Sequence, residues 1–477
     1  MIFSMREPVY FGMKHRHFAA EGARENAWQG KRVLIVGMAR SGIAAAQLLH
    51  KAGAVVTVND GKAEDTFGDK LDVLREMGLQ FRLGENGLDA LENQDVLVIS
   101  PGVPIDAPIV KKAEMLRIPI LGEMEMAAGF LPCDMVAVTG TNGKTTTVSL
   151  LGAIFREAGK LCYVAGNIGY PLSSAAMLAK KEDVVVAEVS SFQLETTRSF
   201  HPLSAAVLNV TEDHLNRHGT MEVYTGLKKH IFDAQAQNDY AVLNYEDDAC
   251  REMANELHSH VLYFSRLHEV PEGAFVRDGQ IIFRLDGEEK PICRADEVKI
   301  PGPHNLENAL AATAIAASRG VPGAVIRHAL RTFAGVEHRI EFTRELDGVR
   351  YINDSKGTNT DSTIKAVQSM LAPTVIILGG YDKHVSFAPL AQEIEKTPLI
   401  SHCVLIGETA GQIEKALQDA GYTAITHAKT LKEAVQLCHD MAKPGSNVLF
   451  SPSCASFDMF EDFEQRGRIF KQLVNQL

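Results

Sequence analysis

The feature that most constrains this chain is an alternation that begins at Lys31. Short runs rich in Val, Ile and Leu take turns with helix-length amphipathic stretches: KRVLIVG, then SGIAAAQLLHKAG, then VVTVND, and later DVLVIS. Such alternation predicts βαβ units and a largely parallel sheet, because two parallel neighbours need a crossover and a helix is the usual one. A second series starts at MVAVTG (135–140) and runs through LCYVAG, DVVVAEVSS, AAVLNV and YAVLNYED. A third, VRYINDS, TVIILGG, CVLIG and NVLFSP, extends towards the C-terminus. Between 274 and 300 the text turns strand-like and turn-rich, which predicts an antiparallel patch ahead of the helical HNLENALAATAIAASRG. At 477 residues the chain is too long for one ordinary core, and three α/β domains are expected. No repeat of solenoid length is present. Residues 1–30 carry mixed charge and no strand or helix period, and read as an extension.

Composition narrows the class of ligand. With 48 basic against 60 acidic side chains the formal charge is −12, which argues against nucleic acid and anionic membrane as partners. An anionic small molecule would therefore need a local trap. The seven cysteines, at 133, 162, 250, 293, 403, 438 and 454, form no CxxC pair, a pattern of free thiols in a reducing compartment. No apolar run approaches the roughly 18 residues of a membrane span, and the N-terminus lacks a secretory apolar core, so a cytoplasmic protein is expected.

The sharpest local signal is Thr139-Gly140-Thr141-Asn142-Gly143-Lys144-Thr145-Thr146, placed after a predicted strand and before a helix. Glycines let backbone amides turn towards an anion, the helix N-terminus adds its dipole, Lys144 neutralises phosphate, and Thr145 can reach Mg²⁺. A Walker loop would have glycine at 138, where Val138 stands, so this is a shortened variant. GMARSG, with Gly37 and Gly42, follows the first strand and Asp60 ends the second. Ala39 occupies the middle glycine of a dinucleotide fingerprint, leaving a nucleotide-type ligand and plain helix packing as equal readings. Glu188 and His214 each follow strands predicted to end at the same sheet edge as the phosphate loop, which suggests Mg²⁺ ligands, with Asp213 an alternative to its neighbour. Lys356 in NDSKGTN, the GGYDK segment and SPSCASF end apolar strands, where α/β sheets present ligands, although a solvated loop fits each taken alone. Cys454 reads as a packing residue, having no base near it in sequence.

Taken in order, TGTNGKTTT, HNLEN, EHRIE and NDSKGTN make the chain from Lys31 onward resemble the Mur ligase family. GNIG (166–169), EVSSFQLE (188–195), LNVTEDHLNRHG (208–219) and SPSCASFDMFEDFEQRG (451–467) resemble its D-glutamate-adding branch. Departures are Gly357 where alanine is frequent, Asn216 where aspartate is frequent, and the leader.

The resemblance implies three α/β domains: a Rossmann-like, UDP-binding one over 31–122, a central phosphate-loop domain over 123–334, and a Rossmann-like one over 335–477. It implies that Gly37, Arg40, Ser41, Asp60, Ser100, Gly102, Asn167 and His214 bind the UDP-linked substrate. ATP would be held by residues 140–146, with Asn305 and Asn308 near the adenine and Arg339 and Asp354 contacting the nucleotide from the third domain. Metal would lie on Thr145, Glu188, His214 and a carbamylated lysine, carried onto Lys228 with Lys229 as the open alternative. Lys144, Glu188, His214, Lys228 and Lys356 would serve catalysis, and Thr358, Lys383, Ser456, Phe457 and Phe463 would bind D-glutamate. The implied activity is ATP-dependent ligation of D-glutamate to UDP-N-acetylmuramoyl-L-alanine by a monomer using two Mg²⁺ ions. Three rivals remain: another amide ligase of the family, a switch-type ATPase, and a nicotinamide dehydrogenase.

Overall fold

The computed structural model describes residues 27–68, 70–383 and 385–477, so most of the leader lies outside the described residues. Its α/β elements build three sheets. The first contains β1 (Arg32–Val36), β2 (Val55–Asp60), β3 (Gln80–Leu83), β4 (Val96–Ile99) and β5 (Ile120–Gly122), in the order β3-β2-β1-β4-β5 with every pairing parallel. The second contains β6 (Asp134–Thr139), β7 (Cys162–Gly166), β8 (Val184–Glu188), β9 (Ser204–Val207), β10 (Tyr240–Asn244), β11 (His260–Ser265), β12 (Gly273–Arg277), β13 (Gln280–Leu285) and β14 (Glu288–Arg294). Its order is β14-β13-β12-β11-β10-β9-β6-β8-β7, and the expected antiparallel patch is the meander β12-β13-β14. The third contains β15 (Glu341–Leu346), β16 (Val349–Asn353), β17 (Thr374–Leu378), β18 (Ile400–Leu405), β19 (Ile425–His427) and β20 (Asn447–Phe450), in the order β15-β16-β20-β17-β18-β19.

Two departures from the sequence reading have physical causes. The third sheet opens with an antiparallel hairpin, β15 on β16, whose first strand EFTREL is polar and half-exposed and so lacks the apolar run that marks a buried strand. Trp28, assigned to the extension, is buried in the first unit's core, where its ring stacks on Phe130 at 6.0 Å. A lone aromatic has no period to betray its burial.

By contacts the chain forms two compact units: residues up to Glu297 with Glu307–Arg331, and Val298–Leu306 with Thr332–Leu477. Alternate residues of the third sheet go to opposite faces. Ile376, Leu378, Leu405 and Leu449 pack on one side, and Val375, Ile377, Val404 and Phe450 on the other. A sheet covered on both faces needs no polar alternation, which is why TVIIL reads as one apolar run. Among the described residues no helix is long and apolar enough to cross a membrane.

Candidate active site

Strand β6 ends at Thr139, and the helix Lys144–Glu157 begins four residues after Gly140. Gly143, the residue before that helix, has φ +85°, and a Cβ there would overlap Asn308 Oδ1 and come within 3.2 Å of Leu208 Cδ1. Only glycine fits that combination of left-handed backbone and close approach. The loop is sewn to the segment after β9. The Thr141 amide donates to the Asn209 carbonyl at 3.0 Å and the Asn142 amide to Asn209 Oδ1 at 2.8 Å. Thr141 Oγ1 accepts from the Thr211 amide at 3.0 Å and lies 3.3 Å from the Tyr224 hydroxyl. Lys144 Nζ curls back onto the Gly140 and Thr141 carbonyls, both at 2.8 Å, so its charge sits in the loop's hollow. Asn308 lies beneath the same loop, accepting from Thr147 Oγ1 at 3.3 Å, whereas Asn305 falls in the other compact unit and donates to the Pro301 carbonyl at 2.7 Å.

Strands β9, β6 and β8 are parallel neighbours, with Val138 opposite Glu188 and Thr139 opposite Val207. The segments carrying Glu188 and His214 therefore leave the sheet at the edge where the phosphate loop starts. Glu188 is 1% exposed. Its Oε1 accepts from Asn167 Nδ2 at 2.8 Å, and its Oε2 is buried without a hydrogen-bond partner. A buried orphan carboxylate oxygen is costly unless something cationic meets it, so this donor suits a hard divalent ion such as magnesium. Lys228 is also 1% exposed. Burial first, then the positive charge of Lys144, pushes its amine well below the usual lysine range. Its Nζ lies 4.2 Å from the centroid of the Tyr224 ring. The adjacent Lys229 is different in kind, pairing with Glu256 towards the surface. His214 takes a left-handed backbone, φ +53°, ahead of the short helix Leu215–His218. Its Nε2 lies 3.4 Å from Asp213 Oδ2, so both alternatives from the sequence share one place.

A cavity of about 560 Å³ lies at the ends of the first sheet's strands and reaches Asn167. Gly37, Ser41, Asp60, Ser100, Gly102 and Asn167 line it together with Lys62 and Gln193; His214 is not among its lining residues. GMARSG packs tightly and also borders this cavity. A Cβ on Gly42 would overlap the Gly37 carbonyl, yet Gly37 also faces the cavity. Asp60 closes this turn, accepting from the amides of Met38 at 2.7 Å and Lys62 at 3.0 Å. Arg40 reaches the Gly169 carbonyl in GNIG.

In the second unit, the loops after β16 and β20 come together around Arg466, which sequence reasoning did not single out. Its guanidinium donates to Ser355 Oγ at 3.0 Å, the Ser355 carbonyl at 2.7 Å, and the carbonyls of Cys454 and Ala455, both at 3.1 Å. Burial pulls its pKa down to about 10. An arginine so enclosed ties the Lys356 loop to the Ser456 loop. Lys356 Nζ lies 5.5 Å from the Phe463 ring centroid, Lys383 Nζ donates to the Thr358 carbonyl at 3.3 Å, and Phe457 meets Tyr381 edge-on at 6.0 Å. Asp354 is buried and accepts from Ser451 Oγ at 2.6 Å, and burial raises its pKa to about 6 despite that bond and the nearby Arg339. Arg339 Nε is buried without a partner. Tyr224, four residues before Lys228 and thus on the same helix face, was the missed residue with a legible signal. Arg466 stood inside the quoted 451–467 segment, but nothing local shows that it also reaches Ser355, more than a hundred residues earlier.

Three features stand at sheet ends: a glycine-rich loop closed by Lys144, a cavity of about 560 Å³, and the Lys356 and Lys383 loops of the third sheet. Fold and site thus define a phosphate-loop α/β enzyme of three domains. Family models sharpen this. The Mur ligase MurD-like N-terminal domain matches residues 31–122, the Mur ligase middle domain 138–316, and the Mur ligase glutamate ligase domain 338–454. The chain belongs to the Mur ligase family. It is 45% identical to the UDP-N-acetylmuramoylalanine–D-glutamate ligase of Thermoanaerobacter sp. over 94% of this chain and 99% of that protein. The protein of the same name from Clostridioides difficile is 44% identical over 94% of this chain and 99% of its own length. Among solved structures, MurF from Acinetobacter baumannii aligns with a TM-score of 0.60 at 19% identity, covering 95% of this chain and 98% of that one. MurF from Thermotoga maritima in complex with ADP aligns with a TM-score of 0.57 at 17% identity, covering 88% and 96%. These structural likenesses establish the shared fold.

Proposed function

We propose that the chain consumes ATP to join D-glutamate to UDP-N-acetylmuramoyl-L-alanine, releasing ADP and phosphate, in peptidoglycan precursor synthesis. The name shared by relatives at 42–45% identity over 94% of the chain supports this substrate pair. The observation that carries the chemistry is the orphaned Glu188 Oε2, buried on the strand paired with the one that leads into the phosphate loop.

In this reading the alanyl carboxylate attacks the γ-phosphorus of ATP, the bond to the β–γ bridging oxygen breaks, and ADP leaves. The D-glutamate amine then attacks the acyl phosphate carbon, loses a proton and expels phosphate, leaving an amide. Residues 140–146 would cradle the phosphates, with Lys144 neutralising charge that grows on the transferring group. Thr145, Glu188 and His214 are the residues that would hold magnesium, which would supply further neutralisation of the phosphate charge. Lys228 fits the carbamylated position. An amine held neutral by burial is a nucleophile towards carbon dioxide: its lone pair forms the N–C bond, a C=O π pair moves onto oxygen, and loss of one N–H proton leaves a carbamate whose oxygens could serve a metal. The cavity residues Gly37, Ser41, Asp60, Ser100, Gly102 and Asn167, with Arg40, would hold the UDP-linked substrate. Thr358, Lys383, Ser456, Phe457 and Phe463 would bind D-glutamate, and Lys356 would meet an anionic group. Asn308 lies at the phosphate loop, which supports a role under the phosphates more than beside the adenine. Buried and half-buried free thiols fit a protein working in the reducing cytoplasm.

ATP consumption measured with each substrate alone and with both tests the proposal. Dependence on both supports it. Substrate-independent hydrolysis would point to a switch ATPase, dependence on another amino acid to a different amide ligase, and hydride transfer to a dehydrogenase.

A further inference from the structure

Beside the phosphate loop lies a buried cluster to which the proposed chemistry gives no task. Glu195, immediately after the helix Ser191–Leu194, accepts from Arg217 Nε at 3.0 Å through Oε1 and from Arg217 Nη2 at 2.5 Å through Oε2. The same Oε1 lies 3.4 Å from His218 Nδ1, while His218 Nε2 lies 3.0 Å from Ser191 Oγ. Arg217 and His218 are the last two residues of Leu215–His218, a helix of four residues that His214 precedes. One turn of helix cannot hold itself, and a non-glycine residue at φ +53° needs its surroundings to hold it there. Glu195 supplies that hold from outside the segment.

The link from Glu195 to His214 runs through Phe192. The Arg217 guanidinium carbon lies 4.6 Å from its ring centroid, the His218 ring 5.4 Å away, and the His214 ring 4.9 Å away, tilted by 57°. A forked ion pair fixes the plane and direction of Arg217, Arg217 and His218 fix Phe192, and Phe192 bounds where the His214 imidazole can lie. We propose that Glu195 is a positioning residue that sets His214, by way of Arg217 and Phe192, in the orientation needed to bind a divalent cation. This inference rests on His214 being a metal ligand.

The test uses the full chain with a non-hydrolysable ATP analogue and reads Mn²⁺ affinity from the free-ion paramagnetic resonance signal, with melting temperature alongside. His214→Ala sets the scale. Groups that orient a metal ligand typically change metal affinity about 10-fold or more, so Glu195→Gln is expected to weaken Mn²⁺ by about that factor. Arg217→Lys, which keeps the charge and loses the fork, is expected to do the same and stands in if Glu195→Gln does not fold. The double variant E195Q/H214A should bind Mn²⁺ no more weakly than His214→Ala alone, a result that general loosening would not give. Wild-type affinity in Glu195→Gln or Arg217→Lys, with His214→Ala impaired, overturns the positioning role alone; so do additive losses in the double variant. Wild-type affinity in His214→Ala overturns the ligand reading and this inference with it.

Discussion

Gly143→Ala puts the phosphate loop under a calculable load. At φ +85° an alanine pays roughly 1–2 kcal/mol for its Cβ. That Cβ would also overlap Asn308 Oδ1, forcing Asn308 away from Thr147 Oγ1, now 3.3 Å distant. Losing that buried hydrogen bond adds about 1 kcal/mol, and the total of about 2–3 kcal/mol falls on the loop conformation. If the loop must keep this shape to grip triphosphate, ATP affinity drops by about 30- to 150-fold at 1.4 kcal/mol per decade. Gly159→Ala is the control: φ is +77° and nothing lies within 4 Å of the new Cβ, so it carries the backbone strain alone, at the far end of the same helix. Calorimetric titration with a non-hydrolysable ATP analogue and thermal melts of both variants decide the matter. Gly143→Ala should lose nucleotide affinity while Gly159→Ala loses only melting temperature. Wild-type affinity and melting temperature in Gly143→Ala would refute the reasoning.

Other consequences are as direct. Lys144→Ala should lower ATP-dependent ligation by about 10²- to 10³-fold or more through lost charge neutralisation, and near-normal kcat would contradict its role. Lys228→Ala should be strongly impaired and partly rescued by high concentrations of a small carboxylate such as formate, while Lys229→Ala, which removes a surface pair with Glu256, should stay within about twofold; an effect confined to Lys229, or no rescue, rejects the placement. Asp354, with a pKa of about 6 when folded against an ordinary 3.8, makes the native state favour its protonated form. The stabilisation it gives is whole below about pH 4 and is lost as pH rises through about 6, a swing of about 3 kcal/mol. Urea unfolding from pH 4 to 7.5 should show this decline in the wild type but not in Asp354→Asn, and parallel curves would dismiss it.

Much of the site was legible because its signals are local. The phosphate loop is eight consecutive residues whose amides, lysine and hydroxyl act within one turn, so spacing alone states its chemistry. Glu188 and His214 could be placed because each follows a buried strand of a parallel sheet, and parallel strands deliver their following segments to one edge. Other parts were not legible. EFTREL mixes polar and apolar residues because β15 is an edge strand, and it lacks the run of a fully buried strand. His218 and Arg217 stood inside a quoted segment, but nothing local announces that both turn towards Glu195, more than twenty residues earlier.

The sequence by itself determined the α/β class, the three series of strands and the strand–glycine–lysine loop that opens a helix, since periodicity and glycine placement depend only on neighbours along the chain. Tertiary structure decided what distance in sequence conceals. It buried Lys228 and left Lys229 paired at the surface, left Glu188 Oε2 without a partner, and moved Asn308 under the phosphate loop. It also gathered two loops on Arg466. The physical reason is that solvation and charge belong to an environment: adjacent lysines have the same chemistry until packing takes water from one of them.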